Sequence, residues 1–85
     1  MDKEIIKSML SNSTWENPEK NIVYKFSGGN ILSINGKNHS TYSINAKNDK
    51  IELSINAANN FIIEFVDDFT LKLSNKNESF IISPE

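Results

Sequence analysis

The sequence predicts a mainly β fold, a small antiparallel up-and-down barrel of seven to eight short strands with one N-terminal helix. From about residue 21 onward, apolar residues alternate with polar ones at a period of two, as in half-buried strands. Polar segments of two to five residues interrupt this alternation, and such short links join antiparallel neighbours. The chain contains 13 asparagines, mostly at these interruptions, where asparagine suits the positive φ of tight turns. Closure into a barrel would remove the unpaired sheet edges.

Length and composition restrict the classes of function. With 85 residues, the chain is expected to form one domain over residues 1–85. Nine lysines, no arginine and 11 acidic residues give a net charge of -2, which argues against a nucleic-acid partner. Without cysteine there are no disulfides or zinc–thiolate sites. No apolar run is long enough to span a membrane, and the charged start is unlike a signal peptide. We therefore expect a cytoplasmic location for the chain as given, and an extracytoplasmic one if a preceding segment has been removed.

The first segment predicts a short amphipathic helix over about residues 2–11, with Asp2 as its N-cap. Ile5, Ile6, Met9 and Leu10 form one apolar stripe at the helical period. Ten residues are marginal for an isolated helix in water, so the stripe is expected to dock on the barrel.

The strand pattern predicts strands between about residues 14 and 83. Seven are expected at about 21–27, 30–35, 39–46, 51–55, 61–66, 69–73 and 79–83, and an eighth around Trp15. Gly28-Gly29 and Asn35-Gly36 predict tight turns, the second of type I′. Asp67-Asp68 is interpreted as a hairpin turn rather than a cation site, because adjacent residues of an extended chain point to opposite faces.

The alternation also predicts which side chains face the interior. Five aromatic residues among them would line a ligand pocket if one exists: Trp15, Tyr24, Phe26, Tyr42 and Phe65. The remaining inward residues are predicted to be Ile22, Leu32, Ile34, Ile44, Ile51, Leu53, Ile55, Phe61, Ile63, Leu71 and Leu73.

Aromatic anchors and strand motifs follow one another in a defined order. A short helix and Trp15 precede a Tyr-x-Phe strand (Tyr24, Phe26), a glycine turn and Leu32-Ser-Ile34-Asn-Gly36. Tyr42-Ser-Ile44, Ile51-x-Leu53-x-Ile55 and Asp67-Asp68-Phe-Thr-Leu71-x-Leu73 come after them. This series covers about residues 5–83 and resembles the short bacterial lipocalin-like domains of the calycin type. The resemblance implies a small up-and-down barrel, a core role for Trp15 and, as in several members, an apolar ligand.

Two departures from the larger lipocalin family limit what the resemblance implies. The chain has Ser13-Thr14-Trp15 in place of the family's Gly-x-Trp, and it has no arginine to stack on that tryptophan. Lys72 or Lys76 would supply the charge but not the planar guanidinium. The fold and the core role of Trp15 carry over, whereas ligand binding does not follow.

No residue pattern predicts catalysis, a metal site or a cofactor. His39 is the single histidine and is interpreted as a solvated turn residue, because one histidine without cysteine cannot build an ordinary zinc site. No Gly-x-Ser-x-Gly sequence supports a Ser-His-Asp triad. The chain is therefore predicted not to be an enzyme.

Two function hypotheses remain, with a hydrolase at the barrel mouth as a distant third. The first is a non-enzymatic binding barrel for a small apolar ligand. The second is a protein-interaction module, such as an inhibitor, an immunity-type protein, an assembly subunit or a homodimer. It would use apolar residues expected on the outside: Val23, Ile31, Ile62, Val66 and Ile81. An internal cavity of a few hundred cubic ångströms would favour the first hypothesis, and a solid interior with a flat outer apolar patch would favour the second.

Overall fold

A computed structural model describes residues 3–85, without the side chains of Asn38 and His39. The predicted N-cap at Asp2 and the predicted solvation of His39 therefore lie outside the described residues.

Eight antiparallel strands form a closed barrel in chain order, with β1 beside β8. The predicted fold class is confirmed, including the eighth strand at Trp15 and the single N-terminal helix. Within the described residues no helix is long and apolar enough to cross a membrane. The elements are α1 (Lys3–Ser11), β1 (Thr14–Asn17), β2 (Ile22–Ser27), β3 (Ile31–Ile34), β4 (Lys37–Lys47), β5 (Lys50–Ile55), β6 (Asn59–Asp67), β7 (Thr70–Ser74) and β8 (Ser79–Pro84).

The asparagines act as turn residues, as predicted from their position at the breaks in the alternation. Asn21, Asn30, Asn35, Asn48 and Asn56 all have positive φ, between 51° and 60°. Most side chains are strained in this region, whereas asparagine tolerates it because its short polar side chain can hydrogen-bond locally. The asparagine content therefore specifies where strands end.

Two of these asparagines also join neighbouring strands beyond their own turns. The Asn35 N–H donates to the Val23 carbonyl (2.8 Å), and the Val23 N–H donates to the Asn35 Oδ1 (2.8 Å). Asn56 exchanges the same two bonds with Thr41, both at 2.9 Å. Each asparagine ends a Leu-Ser-Ile-Asn sequence, at residues 32–35 and 53–56. We call this pair of hydrogen bonds the asparagine clamp. It continues the hydrogen bonding between neighbouring strands at the point where the regular backbone pairing ends.

The two ends of the barrel differ in what covers them. In a meander, successive turns alternate between ends, so the β2–β3, β4–β5 and β6–β7 turns share the end at which β1 begins. The helix α1 directly precedes β1 and packs on β1, β2 and β4, so it covers this end. We call it the helix end. The opposite end carries the other four turns and no helix.

One narrow stripe of α1 is buried in the barrel mouth. Ile6 and Leu10 are fully buried, and the Trp15 Nε1–H donates to the Leu10 carbonyl at 3.0 Å. The prediction that Ile5 belongs to this stripe is wrong, because its side chain is 64% exposed. Adjacent helical residues are rotated by about 100°, so the face that buries Ile6 and Leu10 and packs the half-buried Met9 against the core leaves Ile5 exposed.

The asparagine clamp can be tested at Asn35 with two substitutions. Asn35→Ala should lower the free energy of unfolding by about 2 kcal/mol. It removes a side-chain hydrogen bond, and it places at positive φ a residue whose side chain cannot form the local hydrogen bonds that make this conformation tolerable for asparagine. Asn35→Gly removes the hydrogen bond alone and should cost about 1 kcal/mol. Urea unfolding measures both, and equal costs would show that the backbone conformation contributes nothing.

The docking face of α1 can be tested with neighbouring isoleucines. Ile6→Ala should lower the free energy of unfolding by about 3 kcal/mol, because it opens a cavity in the core. Ile5→Ala, the matched control on the exposed side, should change it by less than about 0.5 kcal/mol. A larger effect at Ile5 in thermal or urea unfolding would contradict the observed orientation of the helix.

Candidate functional site

Four of the five residues predicted for a ligand pocket lie together in the barrel. Tyr24 and Phe26 line the same internal void, and Tyr42 contacts Phe26 edge to face with ring centroids 5.0 Å apart. Trp15 lies opposite Tyr24 in the β1–β2 register. Phe65 is not part of this group and is 41% exposed. The prediction that Phe65 lines the interior is wrong.

The barrel interior is filled by side chains. Its void has a volume of only about 10 Å³, close to the minimum for a single water molecule. An eight-stranded barrel is just wide enough for its own side chains, and here large apolar residues occupy that space. The void is lined by Tyr24, Phe26, Leu53, Ile55, Leu73, Phe80 and Ile82.

Phe80 closes the interior toward the opposite end. Its ring stacks on Tyr24 at 6.3 Å between centroids and meets Phe61 edge to face at 5.4 Å. Phe80 and Ile82 are buried, yet they are missing from the predicted inward set. The alternation in Ser79-Phe-Ile-Ile was the signal that would have identified them.

Three predicted inward residues, Ile22, Tyr24 and Ile34, are only half-buried. They lie near the opposite end, in the first half of β2 and at the end of β3, where Tyr24 pairs with Ile34. No helix covers them there. These side chains are partly exposed because they lie near the uncovered end of the barrel, and not because they point to the outer face of the sheet.

Polar side chains surround this uncovered end. Lys20 donates to Glu78 Oε1 at 3.0 Å, and its Nζ lies 5.7 Å from the centroid of the Phe80 ring. Both side chains of the ion pair are about half exposed, so it contributes little to stability. Asn17 is fully buried, and its Oδ1 accepts from the Lys20 N–H at 3.4 Å. Its Nδ2 has no hydrogen-bond partner in the part of the chain that the structure describes.

The β6–β7 hairpin carries an exposed apolar cluster at the helix end. Phe69 is 70%, Val66 54% and Phe65 41% exposed. The β6–β7 register shifts between Phe65 and Asp67, so Val66 is an extra residue and forms a bulge. Phe65 precedes the bulge and therefore lies on the same face of β6 as the buried Ile63. It is nevertheless exposed, because it lies near the end of the strand, where the barrel no longer covers it.

The predicted position of the hairpin turn is also wrong by one residue. Asp67 ends β6, and its Oδ1 accepts the Phe69 N–H at 2.8 Å. This bond places Asp68 and Phe69 in the turn, whereas Phe69 was predicted as the first residue of a strand. A period-two pattern cannot place a turn of this kind, because Asp67 and Asp68 are equally suited to it. We call residues 64–72 the tip segment.

Three of the five apolar residues predicted on the outside are exposed. Ile31, Val66 and Ile81 are exposed, whereas Val23 and Ile62 are half-buried. Ile31 begins β3 and therefore lies at the helix end, as do Ile5 and the tip segment. Five of the six large apolar side chains exposed in the described part of the chain thus share one end of the barrel. They are Ile5, Ile31, Phe65, Val66 and Phe69.

The described residues offer no group of histidine and acidic side chains that could hold a metal ion. Comparison with known proteins finds no matching family model, no matching curated protein and no matching solved structure.

The two tyrosines allow a test of the packing. Burial raises the pKa of Tyr42 above its ordinary value of 10.0. Burial, and then the nearby Glu78 carboxylate, raises the pKa of Tyr24. The unfolded chain therefore loses these protons first as the pH rises. Their contribution to stability is complete below the ordinary pKa and is lost as the pH passes through the raised values.

We expect the free energy of unfolding to fall more steeply above about pH 10 in the natural chain than in Tyr24→Phe/Tyr42→Phe. Urea unfolding of both proteins between about pH 8 and 11 measures this difference. Both proteins contain the same lysines, so the difference between the two curves reports the two tyrosines. Parallel curves would contradict the raised pKa values.

Proposed function

We propose that the chain is a non-enzymatic protein-interaction module that binds its partner through the tip segment at the helix end. The observation that carries this proposal is the exposure of Phe65, Val66 and Phe69 on a barrel whose interior is filled. An exposed apolar group on a soluble domain commonly marks a binding surface.

The tip segment has the features of an interaction hot spot. Aromatic residues dominate the binding energy of many interfaces, because they bury a large area with little loss of side-chain entropy. The Asp67–Phe69 hydrogen bond fixes the turn that presents Phe69. A rigid hairpin loses less conformational entropy on binding than a flexible loop does.

The hypothesis of a small apolar ligand draws no support from the interior. A pocket for such a ligand normally has a volume of at least about 300 Å³, whereas the void here has about 10 Å³. A ligand inside the barrel would have to displace Phe80 and its aromatic neighbours. The lipocalin-like kinship and its implied ligand remain predictions, and homodimerisation through the same tip remains an alternative.

The proposal is tested by replacing the exposed apolar side chains. Val66→Ser/Phe69→Ser should reduce, by about tenfold or more, the amount of partner that cross-links to the chain in an extract of its source cells. Ile81→Ser is the matched control, because Ile81 is exposed on β8 opposite Lys72, the last residue of the tip segment, about three strand positions from Phe69. The control should capture as much partner as the natural chain. Both variants should unfold within about 0.5 kcal/mol of the natural chain.

Equal capture by the tip variant and the natural chain would contradict the proposal. Native mass spectrometry of protein from the source distinguishes the alternatives. We expect a bare monomer mass after dissociation of the partner. A retained lipid-sized mass would favour the ligand hypothesis, and a stable dimer mass would favour homodimerisation.

A further inference from the structure

We infer that the partner bound by the tip segment is a protein with an apolar socket bordered by lysine or arginine side chains. This inference rests on the proposed function and adds the chemistry of the partner. It follows from the coincidence of two features in one short segment.

The first feature is charge. The tip segment contains the carboxylates Glu64, Asp67 and Asp68 and one lysine, Lys72. Its formal charge of -2 therefore equals that of the whole chain, because the remaining eight acidic residues and eight lysines cancel. All three carboxylates are exposed. The tip segment is therefore net negative, whereas the rest of the chain is formally neutral.

The second feature is the fixed relation between charged and apolar groups. The Asp67 carboxylate accepts the Phe69 N–H at 2.8 Å, so the acid and the most exposed phenyl ring are held two residues apart. Val66 lies directly before the acidic pair in the sequence. A partner that buries these apolar side chains must also face the carboxylates. Acidic groups of the partner at this position would repel the carboxylates and weaken binding. Basic groups would attract the carboxylates and offset the cost of removing them from water.

A groove beside the tip segment offers a further contact for such a partner. It has a volume of about 400 Å³ and lies where β6 extends past the start of β5. The β5–β6 pairing ends at Ile51 opposite Ile63, so no β5 residue pairs with residues 64–67. The groove is lined by Asp49, Lys50, Ile51, Ile62, Ile63, Glu64 and Phe65.

The same charges argue against two other occupants. In a two-fold dimer through the tips, two segments that each carry a formal charge of -2 would meet, and like charges across an interface are unfavourable. An anionic lipid surface would repel the tip in the same way, since membrane-binding surfaces carry lysine or arginine beside their apolar residues. A basic protein surface is the occupant that both features fit.

The experiment uses two short peptides as probes and the backbone amides of the protein as the detector. The first is acetyl-Lys-Leu-Trp-Leu-Lys-amide, and the second replaces both lysines with glutamate. In NMR titrations, the lysine peptide should shift the amides of residues 64–72, and the glutamate peptide should bind at least about threefold more weakly. Added NaCl at about 0.5 M should reduce the difference.

Isosteric amides then test the carboxylates themselves. Asp67→Asn/Asp68→Asn keeps an Oδ1 acceptor for the Phe69 N–H but removes two negative charges. It should reduce the affinity for the lysine peptide by about threefold. Glu16→Gln/Glu19→Gln removes the same charge from β1 and the turn that follows it, and should leave binding unchanged.

Equal binding of both peptides at residues 64–72 would overturn the charge inference and leave the proposed function standing. Sedimentation with phosphatidylserine vesicles, or a tip-dependent dimer, would overturn it in favour of a lipid or a second copy. If neither peptide shifts these amides, the inference fails. If cross-linked capture is also independent of the tip, the proposed function fails with it.

Discussion

Closure of a short sheet into a barrel is the constraint on which the rest of this structure depends. The closing seam pairs Trp15 with Pro84 and Glu16 with Ser83, and the Glu85 N–H donates to the Thr14 carbonyl at 2.7 Å. Eight strands enclose a space only as wide as the inward side chains themselves. Because those side chains are large and apolar, the core is complete and little volume remains for anything else. We therefore assign the proposed binding function to the outer surface.

The helix makes the closed barrel asymmetric. At the helix end, Ile6 and Leu10 complete the core, and Trp15 is fixed to the helix backbone by its Nε1–H. The β6–β7 hairpin extends at the same end, where its bulge at Val66 changes the direction of the exposed side chains. The opposite end is closed by Phe80 and by polar turn residues instead. Five of the six exposed large apolar side chains of the described residues are consequently at the helix end, where the tip segment also carries its own net negative charge.

Much of the fold could be predicted from the sequence because strand alternation and asparagine turns are local signals. The closed barrel and the core positions of Phe26 and Tyr42 follow from them, whereas the helix follows from its apolar residues at the helical period and the core role of Trp15 from the family resemblance. The errors at Phe65 and Phe69 have a common cause, because a period of two identifies a face but not where a strand leaves the barrel or acquires a bulge. The volume of the interior was not predictable, since it depends on how Phe80 packs against Tyr24 and Phe61.

The central claim is that the interior is filled and that binding takes place on the surface. Xenon enters apolar cavities in proteins, so NMR under xenon pressure tests this claim most directly. We expect no saturable shift of the methyl groups of Leu53, Leu73 and Ile82 in the natural chain. The variant Phe80→Ala, in which a cavity has been opened, should show such shifts. Saturable xenon shifts of these methyl groups in the natural chain would contradict the account.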